Sequence, residues 1–257
     1  MAKSDKDKYK NIYTLVREYV ERKEIKKLSL NYPNKKLQGL EIGVGMGGNI
    51  PVIEDLFYSY YAHDLADQAI TYCKENYPYN NIYYYVGEPD FSKQYDCIIM
   101  FSVLEHIKDD KMYLAKIYNS LADEGIFIFQ VPAFSELFSI IDRYFGHYRR
   151  YDIDEIKQKL LSSGFEIKRF HSLGIKFTWG FEIWKFKKRY GSNPQFNQNE
   201  QNLKSSHTEY SWFTKLFLII KKPIYYIALF PYIGFSKVFL NTGVEFLIVA
   251  QKAEKKC

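Results

Sequence analysis

Cysteine is scarce in this chain: Cys73, Cys97 and Cys257 are its only thiols, and no two stand at a paired spacing. That excludes a disulfide framework and a zinc ribbon, and it suits a reducing, cytoplasmic compartment. Long apolar runs are lacking as well. The nearest, Leu216 to Leu240, is broken by Lys221, Lys222, Pro223 and Lys237, short of the roughly 18 uninterrupted residues a spanning helix needs. The polar start Met1-Ala2-Lys3-Ser4-Asp5-Lys6 has neither the apolar stretch nor the small-residue cleavage site of a secretory signal. Charge of one sign does not gather: 36 Lys and Arg are interleaved with 30 Asp and Glu, so the net +6 forms no stripe for nucleic acid. No Cys/His/Asp group has metal-ligand spacing, and neither a P-loop nor a Gly-x-Ser-x-Gly turn is present.

What is there is enough for one sizeable core, in 257 residues of which 47% are hydrophobic. The aromatics, 24 Tyr and 20 Phe, are spread along the whole chain and mark no single surface. Tyr9, Ile12, Tyr13, Val16, Tyr19 and Val20 recur at helical spacing among charged neighbours, which predicts an amphipathic helix bracing something larger. After Pro33 short apolar runs alternate with helical stretches, the signature of βα units around a parallel sheet. Strands are predicted at Leu37–Val44, Tyr58–Asp64, Ile82–Val86, Tyr95–Ser102, Gly125–Val131 and Phe165–Leu173. The helix before the fifth strand would bury Leu114, Ile117, Tyr118 and Leu121 and end in a left-handed turn at Gly125. The next would bury Ile153, Ile156 and Leu160 and stop in the same way at Gly164. From Gly174 to Asn241 the alternation is lost, and Val244–Ala250 then forms a last strand reached without a helical crossover, hence antiparallel. The fold class expected is α/β: a Rossmann-like, seven-stranded, mostly parallel sheet with an antiparallel last strand and helices on both faces. Residues 1–36 form the helical brace, 37–173 with 242–252 the core, and 174–241 a helical insertion.

The chemistry begins at Leu40-Glu41-Ile42-Gly43-Val44-Gly45-Met46-Gly47-Gly48. A glycine turn after a first strand lets backbone approach a ligand, and the helix after it offers N-terminal amides. Gly43, Gly45 and Gly48 also satisfy G-x-G-x-x-G, so spacing alone leaves open a nicotinamide or flavin enzyme, or an ordinary glycine-rich turn. Glu41 shifts the balance, because a carboxylate there repels a pyrophosphate and attracts a cation. Glu-x-Gly-x-Gly-x-Gly resembles the first signature of class I methyltransferases, whose cofactor, S-adenosylmethionine (SAM), carries a sulfonium and an ammonium; the likeness runs from about Leu37 to Gln251. At the second strand's end, in Ala62-His63-Asp64-Leu65, Asp64 either takes both ribose hydroxyls or is a solvated strand-end acid, and Leu65 is counted beside it as a cofactor contact. In Gly87-Glu88-Pro89-Asp90, Glu88 is preferred to Asp90 as the acid that the resemblance places at the adenine amino group.

The stretch Tyr95 to Ile107, with Leu104-Glu105-His106, resembles the fourth strand and turn of the same family more specifically than the glycines do. By that resemblance Phe101 and Ser102 line the methionine portion of the cofactor, Glu105 and His106 cap the next helix at the site's mouth, and His106 counts among the cofactor contacts. Gly146-His147-Tyr148-Arg149-Arg150-Tyr151 resembles an acceptor-loop element of a bacterial branch (methyltransferase type 11/12-like), many of whose members are associated with surface glycans or other envelope pathways. His147 is the candidate general base, or else a hydrogen-bonding residue of the loop. Arg143, Arg149 and Arg150 would clamp an oxyanion on the acceptor or pair with Asp142, Asp152 or Asp154; Tyr148 and Tyr151 complete the acceptor set. Trp212 to Pro223, bulky and edged with lysines, reads as an interfacial helix or a pocket lid. The function expected is transfer of a methyl group from SAM, without a metal, to an oxygen or nitrogen of a small or lipid-linked acceptor, a sugar or surface-glycan intermediate. Nucleic acid is not a partner, and the place is the cytoplasm, with peripheral association at the inner membrane surface as a further reading. A catalytically silent SAM-binding partner protein and a nicotinamide-dependent oxidoreductase are the alternatives.

Overall fold

The computed structural model describes residues 12–32, 35–174, 176–192 and 243–253. Its helices in chain order are α1 (Ile12–Lys26), α2 (Leu28–Asn31), α3 (Ile50–Ile53), α4 (Asp67–Asn76), α5 (Asp110–Ser120), α6 (Ile140–Tyr144), α7 (Ile153–Ser162) and α8 (Trp179–Tyr190). Its strands are β1 (Leu37–Ile42), β2 (Phe57–Asp64), β3 (Ile82–Val86), β4 (Tyr95–Phe101), β5 (Leu121–Pro132), β6 (Phe165–Leu173) and β7 (Glu245–Lys252). They form one seven-stranded sheet in the order β3-β2-β1-β4-β5-β7-β6, parallel throughout except that β7 runs antiparallel to both β5 and β6. This is the Rossmann-like sheet expected, with its antiparallel last strand.

The central strands are apolar on both faces because both are covered. In β4, Cys97 and Ile99 pack with Val16 and Val20 of α1 and Ile70 and Cys73 of α4. Ile98 and Met100, one residue out of phase, pack with Leu114 and Ile117 of α5 and Ile156 and Leu160 of α7 on the other side. Cys73 and Cys97 are buried and not joined in a disulfide; Cys97 packs as a small apolar side chain, whereas Cys73 Sγ donates to the Gly45 carbonyl at 3.3 Å.

Three local expectations are corrected. Leu121 does not close the buried stripe of α5 but starts β5, so that helix ends at Ser120. Gly125 does not take the left-handed turn; Glu124 does, at φ 60°, and Gly125 is needed because a Cβ there would lie 2.8 Å from the Ala122 carbonyl oxygen. Gly164, at φ 92° just beyond α7, ends that helix as predicted. In α1 Val16 and Val20 are buried but Tyr19 is exposed, and two acids, Glu21 and Glu24, are buried instead. Glu24 receives Arg169 Nε at 2.5 Å and Lys27 Nζ at 2.6 Å and lies 3.1 Å from His171 Nε2, which pins α1 to β6. Tyr9 and the run 212–240 lie outside the described residues. Among those described, no helix is long and apolar enough to cross a membrane.

The chain leaves β1 toward β2 and β3, then returns to β4 on β1's other side. Connections therefore diverge from the carboxyl ends of β1 and β4, opening the crevice where α/β sheets hold ligands.

Candidate active site

The turn after β1 is the floor of this crevice. Its conformation requires glycine at two places in particular. Gly43, at φ 79°, could carry no side chain, since a Cβ would fall 2.5 Å from Val103 Cγ2 in the turn after β4. Gly45, at φ 52°, has nothing from the described residues beyond its chain neighbours within 4 Å of where a Cβ would be, so its bareness leaves space rather than relieving a clash. Gly47 lies under the Tyr77 ring. The expected helix after the turn is a single turn, α3, whose N-cap Asn49 makes no side-chain cap. The turn's own amides serve the protein: Gly43 N and Val44 N donate to the His63 carbonyl at 2.9 Å, Gly45 N to Asp64 Oδ2 at 2.9 Å and Gly47 N to the Val44 carbonyl at 3.0 Å. A pyrophosphate site instead turns such amides toward its ligand.

Glu41, 3% exposed, accepts a hydrogen bond from Tyr60 Oη at 3.2 Å. Burial pushes its pKa up to about 8, and the nearby charges of Glu21 and Asp64 push the same way. Glu21, on α1, is raised to about 7, again chiefly by burial. Arg22 of the same helix donates to the Gly48 carbonyl at 3.1 Å, so α1 lies across the glycine turn. Glu21 joins the site unannounced, since on a helix with charged neighbours one more glutamate reads as solvent-facing.

Asp64 ends β2, where Oδ2 accepts from Gly45 N and Oδ1 from Ala66 N, both at 2.9 Å. One lone pair on each oxygen remains for a ligand. Leu65 beside it is 60% exposed, an apolar side chain turned outward at the strand end. Asp90 is taken up by its own loop, accepting from Ser92 N at 3.1 Å and Ser92 Oγ at 2.5 Å, bonds that hold its pKa below the usual range. Glu88 is exposed at the end of β3.

After β4, Phe101 is half-buried and Ser102 is exposed, in the left-handed region at φ 54°, its N–H on the Gln130 carbonyl at 3.1 Å. A serine held there is strained, as residues at functional turns often are. Leu104–His106 is one 3-10 turn. It does not cap α5 as expected; Asp109 does, accepting from Met112 N at 3.0 Å.

The segment from Ser139 to Tyr151 is stitched over these strand ends. Phe134 N donates to Tyr151 O at 2.8 Å, Tyr151 N to Pro132 O at 2.9 Å and Tyr148 N to Glu105 O at 2.8 Å. Asp142, fully buried, is its hub: it takes Ser139 N at 2.8 Å, Ser139 Oγ at 3.0 Å and Arg150 Nε at 2.7 Å, with His147 Nδ1 at 3.0 Å. Burial opposes its charge, yet the bonds from His147 and Arg150 keep its pKa below the usual carboxylate range. Ser139-x-x-Asp142 is a capping-box spacing, the one local signal of this hub. Arg150 is buried, with its guanidinium 4.1 Å from the Trp179 ring centre. Arg149 and Tyr151 both reach Asp110, at 2.6 and 3.0 Å, and Tyr151 has no exposed surface. These three anchor the loop. Arg143 and Tyr148 are exposed upon it.

The His147 ring stands edge-on to His106, centres 4.7 Å apart. Burial, then the neighbouring His147, lowers His106 to about 4, which leaves it neutral. Glu105, 1% exposed, is raised to about 8 by burial, and its Oε2 has no hydrogen-bond partner among the described residues. Among the described residues, Glu105, His106 and His147 bring one donor atom each within 4.8 Å of one another. Spacing along the chain, which predicted no metal cluster, hides this group, because the fold alone brings His147 back to the β4 turn.

A buried acid beside the glycine turn, open space at Gly45 and a strand-end carboxylate are a combination that fits SAM. The sequence profile of a family described as "Methyltransferase domain" matches residues 14–169. No protein of curated function matches the sequence. Among solved structures, a candidate sarcosine dimethylglycine methyltransferase from Galdieria sulphuraria is similar over 93% of this chain and 86% of that one (TM-score 0.58, 14% identity). The N-methyltransferase NodS from Bradyrhizobium japonicum is similar over 92% and 97% (TM-score 0.53, 12% identity). Magnesium protoporphyrin IX methyltransferase from Synechocystis, with S-adenosylhomocysteine (SAH) bound, is similar over 65% and 81% (TM-score 0.51, 15% identity). At such identities these likenesses speak for the fold.

Proposed function

The chain belongs to the methyltransferase domain family, and from that premise we propose that this SAM-dependent enzyme methylates an oxygen or nitrogen of a small or lipid-linked acceptor, a sugar or surface-glycan intermediate. The observation that carries the reading is the stitching of the 139–151 segment, by Tyr148 N to Glu105 O at 2.8 Å, over the strand ends that carry the glycine turn. Donor and acceptor sides thereby share one crevice. When bound, SAM supplies a methyl group on a sulfonium.

Glu41, with Glu21 behind it, meets the cofactor's positive charge, and Asp64 takes the ribose hydroxyls. Leu65 and Glu88 contact the adenine; Phe101, Ser102 and His106 line the methionine portion. Gly45 leaves space in the floor, while Gly43 and Gly47 let Val103 and Tyr77 close against the turn that holds the cofactor. His147, its Nδ1 held by Asp142, offers Nε2 to the acceptor's proton, and such general bases contribute roughly 10²–10⁴-fold. Arg143 and Tyr148 meet the acceptor, with Arg143 suited to an oxyanion upon it. Arg149, Arg150 and Tyr151 hold the loop through Asp110 and Asp142.

The Gly146-to-Tyr151 element supports placing the chain in the bacterial glycan-associated branch. Residues 174–241 form the acceptor-side insertion in this reading, and the lysine edging of the 212–240 run supports reversible contact with an anionic membrane surface. The deciding experiment incubates the protein with methyl-labelled SAM and extracts from cells with and without the gene. Label should enter a carbohydrate-containing product; bound cofactor without any labelled product would favour a silent SAM-binding protein. Failure to sediment with anionic vesicles would remove the membrane contact.

A further inference from the structure

We propose that Glu105, His106 and His147 bind a divalent first-row transition metal at the acceptor end of the crevice, leaving coordination positions open to an acceptor that chelates through two oxygens. The inference rests on the acceptor-site reading above and deepens it.

The donor atoms already lie within 4.8 Å of one another. Metal–ligand bonds of about 2.0–2.2 Å need them somewhat closer, a change within reach of side-chain rotation. Glu105 Oε2 is buried and has no hydrogen-bond partner among the described residues, an arrangement that is costly unless something fills it. Each imidazole has a second partner of the kind that orients a metal-bound histidine. Asp142 holds His147 Nδ1 at 3.0 Å, and the Gly146 carbonyl lies within hydrogen-bond reach of the His106 ring. Each ring therefore keeps one nitrogen for a ligand, and the outer contacts set which one. Asp142 is in turn fixed by Ser139 and Arg150.

Two imidazoles and one carboxylate favour manganese, iron, cobalt or zinc over magnesium or calcium, which prefer all-oxygen shells. Three protein ligands leave positions for two neighbouring acceptor oxygens, such as a vicinal diol of a sugar. An oxygen held there would lose its proton to solvent more readily, as metal-bound water does. In the loaded enzyme His147 is then a ligand rather than the base.

The test measures binding of Mn²⁺ and Zn²⁺ to the full chain by calorimetry, with Mn²⁺ paramagnetic resonance as a second readout and the SAH-induced thermal shift as a control of fold. Stoichiometric binding is expected, weakened more than 10-fold in Glu105→Gln, His106→Gln and His147→Gln and about 10–100-fold in Asp142→Asn, with the SAH shift of His147→Gln retained. Absence of metal binding, or binding unchanged in all three ligand variants, overturns the inference. If turnover also survives chelation, the methyltransferase reading stands with His147 as base; loss of SAH binding by the native chain would sink that reading instead.

Discussion

His147 Nδ1 lies 3.0 Å from Oδ1 of Asp142, a carboxylate with no exposed surface. That contact orients the ring and commits one nitrogen, so whatever His147 does at the crevice it does through Nε2. Its removal should separate binding from turnover. His147→Ala is expected to keep SAH affinity within about 2-fold while kcat falls by roughly 10²–10⁴-fold. Calorimetry and steady-state kinetics with the native acceptor check this, and unchanged turnover would remove His147 from the reaction.

Asp142 itself is structural, compensating the buried Arg150. Asp142→Ala leaves that guanidinium without its carboxylate and should cost about 3–5 kcal/mol in denaturant unfolding. Asp142→Ala combined with Arg150→Met should recover part of the loss. A cost below about 1 kcal/mol for the single change would show that the pair does not hold the loop.

Glu41 makes the cofactor site pH-dependent. Its carboxyl ionises near 4.5 when free but near 8 when folded, because it is buried. The sign follows: the folded chain holds a proton that the unfolded chain has released, so this contribution to stability is full below 4.5 and is lost as pH rises through about 8. A cation beside Glu41 favours the ionised form, so SAM affinity should climb toward pH 8 and SAM should restore the alkaline loss in Tm. Glu41→Gln should flatten both profiles; identical profiles for the two proteins would refute the pairing.

Gly45 and Gly43 should fail differently. At Gly45 a methyl group meets nothing among the described residues, so Gly45→Ala should cost only about 1–3 kcal/mol of backbone strain while SAH affinity drops at least about 10-fold. Gly43→Ala drives a Cβ to 2.5 Å from Val103 Cγ2 and should lower stability further. Thermal melts beside SAH titrations separate the two, and wild-type affinity in Gly45→Ala would place the cofactor elsewhere.

Glu24 ties α1 over the sheet. Burial works against its charge, but bonds from His171, Lys27 and Arg169 hold its pKa at about 2. The stability it contributes is therefore present above 4.5 and lost as pH falls toward about 2. Glu24→Gln should lower Tm at neutral pH and weaken SAH binding, because α1 carries Glu21 and Arg22 to the glycine turn. A native Tm and affinity in that variant would show that the helix is held without this acid, by Val16, Val20, Ile25 and the Arg22 bond to Gly48.

The strands, the stop of α7 at Gly164 and the glycine turn after β1 were legible because each is written within a few neighbouring residues, as an apolar period or a required backbone angle. Leu121 was misplaced for the same reason: at a helix-to-strand junction one apolar residue fits either period, and the packing against β4, where Leu121 pairs with Tyr95, decides. Arg149, Arg150 and Tyr151 look alike to any residue-by-residue reading of the acceptor loop. Only the fold distinguishes them from Arg143 and Tyr148, since Asp110 and Asp142 reach the first three from other elements. By itself the sequence determined the sheet, its antiparallel last strand and the kind of methyl donor. The tertiary structure alone decided that Glu21 approaches Glu41 and that His147 returns to Glu105 and His106, because strand order and burial, rather than distance along the chain, set which charges meet and which protons they keep.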